Sequence, residues 1–180
     1  MTLRPAAFLD RDGVLNERPP AHDYVREIDQ LVLLPGAAEA VRRLAGAGYV
    51  PVVVSNQRGV ARGLVTWQTL RAVEEALVRE TGGPIAFYYC PHDDADACDC
   101  RKPAPGLLLR AAAELGLDLA CSVMIGDTES DVEAGRAAGT ATIRIAPPGT
   151  ATGADATAGD LAAAAAIVLS AGAQQNAPAP

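Results

Sequence analysis

Lysine is almost absent from this chain. Of its fifteen basic residues only Lys102 is a lysine, and the others are arginine. Basic charge is itself scarce, because 22 acidic residues leave a net charge of −7. That balance gives no electrostatic footprint for nucleic acid or for an anionic membrane, though a local basic site for a small anion stays open. No uncharged run is apolar and long enough to cross a bilayer; those near the C-terminus are mostly Ala, Gly, Thr and Pro. The opening MTLRPAAFLDRDG lacks the apolar run of a secretory signal, so a cytoplasmic location is expected. Cysteine is limited to Cys90, Cys98, Cys100 and Cys121. In that compartment they are expected as thiols or metal ligands and not as disulfides.

The remaining composition is that of a globular protein, with 49% hydrophobic and 21% charged residues. The length suits one domain, expected over residues 1–170, with AGAQQNAPAP (171–180) as a disordered tail. Apolar runs at 6–10, 50–56, 85–90, 121–127 and 141–146 read as buried strands. Between them, Val41, Leu44 and Ala45 mark one helix face, Leu70, Val73 and Leu77 a second, and Leu107, Leu108, Ala111 and Leu115 a third. Val132, Ala134 and Ala138 mark a short fourth helix, and residues 160–170 suit an Ala-rich one. Thr66 is the expected N-cap of the second, and Pro105 fits the first turn of the third. PPGTATGADATAG reads as loop. The alternation predicts an α/β fold, a doubly wound parallel sheet covered by helices on both faces. In such a sheet the site lies outside the carboxyl ends of the strands. There the sequence places Asp10 and Asp12, then Ser55 and Asn56, then Cys90 and His92, then Asp127.

Three clusters carry chemistry. DRDG (10–13) and GDTESD (126–131) each set carboxylates directly after a buried strand. Singly, each reads equally as a turn or a helix cap. Together, three or four carboxylates at one end of a sheet would repel unless a cation sat among them, and oxygen-only ligands favour Mg²⁺. SNQRG (55–59) adds hydroxyl, amide and loop N–H donors. Lys102 adds a compact ammonium able to neutralise a phosphoryl group as it transfers. The set points to phosphoryl transfer. In the third cluster Cys90, His92, Cys98 and Cys100 follow a C-x-H-x5-C-x-C spacing, a Cys₃His donor set suited to structural Zn²⁺. Fixing Cys100 would fix the direction of Arg101 and Lys102, which follow it directly. Cys121 reads as a small core residue.

DRDG, VVVSNQ, CRKP and GDTESD, in that order, resemble the four motifs of the haloacid dehalogenase superfamily of aspartate-based phosphatases. The resemblance implies a Rossmann-like core and Asp10 as nucleophile, with Asp12 as general acid and then base. It also implies Ser55 and Lys102 on the phosphoryl group, and Mg²⁺ held by Asp10, the Asp12 carbonyl and Asp127. Within the superfamily, HDYVREIDQL, SNQRGVARG and YYCPHDDADACDCRKP resemble the D-glycero-D-manno-heptose-1,7-bisphosphate 7-phosphatases over residues 6–145. These lack a large cap domain. Histidinol-phosphate phosphatases share the zinc loop, while GVARG and YVREID favour the heptose enzymes. The resemblance implies a small phosphosugar substrate, contacted by Arg11, Asn56, Gln57, Arg58 and Arg101 beside the catalytic groups. The product would serve nucleotide-activated heptose synthesis. A monomer is expected, without nucleic-acid or membrane partners. A non-catalytic zinc-stabilised module is a third class, disfavoured by the intact set of Asp10, Asp12, Lys102 and Asp127. Three features depart from the heptose pattern. Thr128 stands where a basic residue often follows the metal-binding Asp, Arg58 stands where a small polar residue is usual, and NERPPAHDY (16–24) is longer.

Overall fold

Buried apolar runs become the strands of one parallel sheet. The computed structural model describes residues 3–20 and 23–175. Within them lie β1 (Arg4–Leu9), β2 (Val50–Asn56), β3 (Ala86–Cys90), β4 (Leu117–Gly126), β5 (Ala141–Ile145) and β6 (Ala156–Ala158). Their order is β3-β2-β1-β4-β5-β6, and every pairing is parallel. Side chains alternate across the sheet. Ala7, Leu9, Val53 and Ile125 pack on one face against α1 (Ala37–Gly46), α2 (Trp67–Thr81) and α5 (Leu161–Gln175). Ala6, Phe8, Val52, Val54 and Met124 pack on the other against α3 (Gly106–Leu115) and α4 (Glu129–Ala138). Because helices cover both faces, the central strands are continuously apolar and do not alternate with polar residues. This is the α/β doubly wound sheet that the sequence predicts, without a large cap. No helix among the described residues is long and apolar enough to cross a membrane.

Local signals set the helix ends. Thr66 caps α2, its Oγ1 accepting from the Thr69 N–H at 3.0 Å. Thr128 and Asp131 form a reciprocal capping box at the start of α4. Pro105 stands one position earlier than expected, as the N-cap of α3. Gly106 then begins that helix directly beneath the loop after β3. A Cβ at Gly106 would lie 2.3 Å from the Asp99 carbonyl oxygen, so only glycine lets the helix seat the backbone that leads into Cys100, Arg101 and Lys102.

Three boundaries differ from the sequence reading. The segment read as loop after Pro148 contains β6, an edge strand secured by Asp155, whose Oδ2 accepts from the Thr142 N–H and hydroxyl at 2.8 Å each. β4 begins at Leu117, four residues before the expected start, and its pairing with β1 shifts register between Pro5 and Ala7. α5 continues to Gln175, beyond the boundary expected at 170, because alanine favours helix and no proline intervenes. The last five residues of the expected disordered tail lie outside the described residues.

Candidate active site

β1 lies between β2 and β4, and the chain leaves it first toward β2 and β3, then crosses to β4, β5 and β6. The reversal opens a crevice at the carboxyl ends, the usual ligand position in such sheets. A cavity of about 270 Å³ occupies it. Asp10, Lys102 and Asp131 are buried at its floor, Ser55, Asn56 and Thr128 line its wall, and Arg18, Tyr24, Arg58 and Arg101 stand at its rim. Another cavity, of about 200 Å³, lies between β4, β5 and α5, with a largely apolar lining and no comparable cluster of charge.

Lys102 is 4% exposed. Its Nζ donates to Asp10 Oδ1 at 2.7 Å and to the Val54 carbonyl at 2.7 Å, and lies 2.6 Å from Asp131 Oδ1. Three N–H directions meet three acceptors. The Lys102 backbone is held by the Asn56 amide, which donates to its carbonyl and accepts from its N–H at 3.0 Å each. Burial opposes the charged ammonium, but Asp10 and Asp131 outweigh it and hold the Lys102 pKa above its ordinary value. Burial pushes the Asp10 carboxyl up to about 7 against the pull of Lys102, with Asp131 and Asp12 adding to the rise. Asp131 goes the other way. Burial resists its ionisation, yet Lys102 and the Thr128 hydroxyl and N–H together hold its pKa below the ordinary value. The asymmetry follows from donors: Asp131 Oδ2 also receives the Thr128 hydroxyl at 2.6 Å and N–H at 3.0 Å.

The donor sets fit two different metals. Asp10, Asp127 and Asp131 offer carboxylate oxygens within 4.8 Å of one another, an all-oxygen set suited to a hard cation. Burial raises the Asp127 carboxyl, opposed by the Arg18 guanidinium, which grips both of its oxygens. Gly13, at φ +93°, makes room there: a Cβ would lie 2.0 Å from Asp127 Oδ2. The second set is Cys90, His92, Cys98 and Cys100. Its Sγ–Sγ distances are 3.6 and 3.5 Å, and His92 Nδ1 lies 3.5 Å from Cys90 Sγ and 3.2 Å from Cys100 Sγ. A tetrahedron with zinc–sulfur arms of about 2.3 Å has sulfurs roughly 3.8 Å apart, so the cluster is near zinc size and far from disulfide bonding. Burial opposes the Cys98 thiolate, but hydrogen bonds from Cys100, Cys90 and the backbone lower its pKa to about 7.

Asp10, Asp12, Ser55, Asn56, Arg58, Arg101 and Lys102 all line the cavity. Arg11 and Gln57 do not. Each is 1% exposed, and their side chains turn beneath the floor onto Asp12, so neither is among the residues that line the cavity. Asn56 spends its amide on the Lys102 backbone. The Asp12 carboxylate faces Arg11, Asn16 and Gln57 and stands apart from the other three acids. Cys121, expected in the core, is exposed. Sequence reasoning missed Arg18 and Tyr24, whose only signal was the length of residues 16–24. Asp131 was legible as a helix cap, and it serves as cap and Lys102 partner at once.

The three-acceptor cage gives a prediction. A planar guanidinium cannot point three N–H groups at Asp10, Val54 and Asp131 together, so Lys102→Arg should overpack the site at a cost of about 1–3 kcal/mol. Lys102→Met should cost more, about 3–5 kcal/mol, by leaving two buried carboxylates without their cation. Thermal unfolding should order the proteins wild type, Lys102→Arg, Lys102→Met. Equal midpoints for the first two would contradict the cage.

Comparison with known proteins agrees with the geometry. Residues 5–139 match the family model for haloacid dehalogenase-like hydrolases. A Pseudomonas aeruginosa protein named D-glycero-beta-D-manno-heptose-1,7-bisphosphate 7-phosphatase is 41% identical over 138 residues, covering 74% of this chain and 76% of that one. A Yersinia pestis protein of the same name is 39% identical over 163 residues, covering 83% and 85%. Among solved structures, the D,D-heptose 1,7-bisphosphate phosphatase of B. bronchiseptica, complexed with magnesium and phosphate, superposes with a TM-score of 0.81 at 35% identity, covering 93% of this chain and 99% of that one. From the carboxylate cluster around Lys102 to these matches, the chain belongs to the haloacid dehalogenase-like hydrolase family.

Proposed function

We propose that the chain removes the 7-phosphate of D-glycero-D-manno-heptose 1,7-bisphosphate through an aspartyl-phosphate on Asp10, as a single-domain monomer in the cytoplasm. The observation that carries this reading is the polarity of one cavity. Its floor holds the Asp10 carboxylate beside a buried ammonium, and of the three guanidinium groups at its rim Arg58 and Arg101 are joined by one exposed carboxylate. Asp94 Oδ2 accepts from Arg58 at 2.7 Å and its Oδ1 from Arg101 Nε at 2.5 Å. Floor and rim would take the two ends of a sugar bisphosphate, the transferring group at the floor and the retained phosphate at the rim.

In the first step an Asp10 oxygen attacks phosphorus, the bond from phosphorus to the sugar oxygen breaks, and Asp12 gives that oxygen its proton. In the second, water attacks phosphorus, Asp12 takes the water's proton, and the bond to Asp10 breaks to release inorganic phosphate. Lys102 neutralises charge on the transferring group. Ser55 Oγ already accepts from Gln57 Nε2 at 3.0 Å, which leaves its own hydroxyl proton for a phosphoryl oxygen. Asp10, Asp127 and the Asp12 carbonyl would hold Mg²⁺, which supplies Lewis-acid stabilisation of phosphoryl charge. Zn²⁺ on Cys90, His92, Cys98 and Cys100 would be structural, fixing the loop that presents Arg101 and Lys102.

The substrate is tested by phosphate release from both heptose 1,7-bisphosphate anomers, histidinol phosphate and fructose 1,6-bisphosphate. A heptose bisphosphate should give the highest kcat/KM. Arg58→Ser should raise KM for it about 10- to 100-fold, the loss of one charge-assisted contact of about 1.5–3 kcal/mol. Histidinol phosphate as the best substrate, with Arg58→Ser neutral, would contradict the assignment.

The two metals should separate. Purified protein should retain about one zinc per chain, as a closed four-ligand site does, after dialysis that removes magnesium and activity together. Magnesium must displace the proton that burial keeps on Asp10 up to about pH 7. Its affinity should therefore rise with pH, about tenfold per unit at most, and level off above that value. Zinc-free protein with unaltered activity, or magnesium affinity flat from pH 5 to pH 8, would contradict this scheme.

A further inference from the structure

Arg11 lies next to both acids of DRDG yet never reaches the cavity. Its guanidinium is folded back onto Asp12, with Nε donating to Oδ1 at 3.1 Å and Nη2 lying 2.9 Å from both carboxylate oxygens. Two further donors complete the cradle. Asn16 Nδ2 reaches Oδ1 at 2.9 Å, and Gln57 Nε2 reaches Oδ2 at 3.3 Å. Asn16 is fully buried and Arg11 nearly so. Among the described residues Arg11 Nη1 has no hydrogen-bond partner, and Asp12 is the ion-pair partner of the guanidinium. A buried guanidinium with an unpaired nitrogen is costly. What that cost secures is the plane of one carboxylate, because a planar fork fixes orientation where a point charge would not.

We infer that Arg11 is a positioning residue for the phosphatase reaction, and that it leaves Asp12 Oδ2 as the oxygen that exchanges the proton. The inference rests on the reading of Asp12 as proton carrier. Oδ1 receives Arg11 twice and Asn16 once, which fills its lone pairs. Oδ2 receives one Arg11 contact and one from Gln57, and the Gln57 contact at 3.3 Å is the longest of the five on this carboxylate, so it is the one that yields to a proton. The Asp12 side chain lines the cavity and is 21% exposed, while that of Arg11 is 1% exposed, so the anchor lies behind the residue it holds. In the first step the proton on Oδ2 passes to the sugar oxygen as the phosphorus–oxygen bond breaks. In the second a proton of the attacking water returns to Oδ2.

Leaving groups test this directly. A sugar alkoxide needs a proton to depart, whereas p-nitrophenolate leaves as a stable anion. Arg11→Lys keeps the buried charge but loses the fork, and Arg11→Gln loses both. Misplacing a reacting group by about 1 Å costs roughly 100-fold, and general acid catalysis is worth about 10²- to 10⁴-fold. For Arg11→Lys, kcat on the best sugar phosphate should fall about 100-fold. On p-nitrophenyl phosphate it should fall less than about 5-fold, with KM unchanged for both substrates and thermal unfolding near wild type. Asp12→Asn should show the same selective loss in larger measure. Any alkyl phosphate that the wild type turns over serves, so failure of the heptose assignment leaves this test intact. Equal losses on both substrates would make Arg11 merely structural, and a raised KM would make it a substrate contact; either overturns the inference. If Arg11→Gln does not fold, Arg11→Lys decides alone. If Asp12→Asn loses both substrates equally, the proton-carrier reading falls and Arg11's part falls with it.

Discussion

A single buried ammonium, Lys102 between Asp10 and Asp131, organises the site. Taking an ammonium and two carboxyl groups out of water is expensive, and the cost is offset only when each ammonium N–H finds an acceptor. The fold meets that condition with groups from four places. β1 delivers Asp10, β2 delivers the Val54 carbonyl and the Asn56 clamp, α4 delivers Asp131, and the loop before α3 delivers the lysine. Arginine, used everywhere else in the chain for positive charge, has the wrong shape for this position. The lone lysine is therefore a consequence of geometry and not of composition.

Position in the sheet gives each neighbouring feature its task. Asp127 and Asp10 end adjacent strands, so their carboxylates converge without any loop having to bring them together. Lys102 comes instead from a loop, and two restraints hold that loop. The Cys₃His cluster packs against the α3 face of the core, and Gly106 brings the helix start against the Asp99 carbonyl. At the rim, Arg62, Asp93, Arg58, Asp94 and Arg101 alternate in sign and tie the loop after β2 to the loop that carries the Cys₃His cluster. Such partly exposed pairs contribute little stability. Their effect is to hold the Arg58 and Arg101 side chains in place at the edge of the cavity.

The central strands were legible because burial on both faces leaves Val and Ile runs without alternation, as in VPVVV. β6 was not, since Ala-Thr-Ala carries no pattern in three residues and depends on Asp155 for its place. The clusters of side chains that could hold a metal, Cys90, His92, Cys98 and Cys100 and the acids Asp10, Asp127 and Asp131, were legible from residue type and spacing. The roles of Arg11 and Gln57 were not, because motif adjacency says nothing of direction: both sit within motifs that line the cavity, and both turn away from it onto Asp12. Arg18 was hidden for the opposite reason. It belongs to no motif, and only the folded loop brings it to Asp127.

The proposed reaction turns on Asp10 receiving the phosphoryl group beside Lys102. Rapid quenching during turnover, followed by borohydride reduction and peptide mass spectrometry, reads that transfer at one residue. An aspartyl-phosphate is reduced to homoserine, so the account predicts homoserine at position 10 in protein quenched with substrate and aspartate there without it. Homoserine at another aspartate, or none at any time point while phosphate is being released, would contradict it.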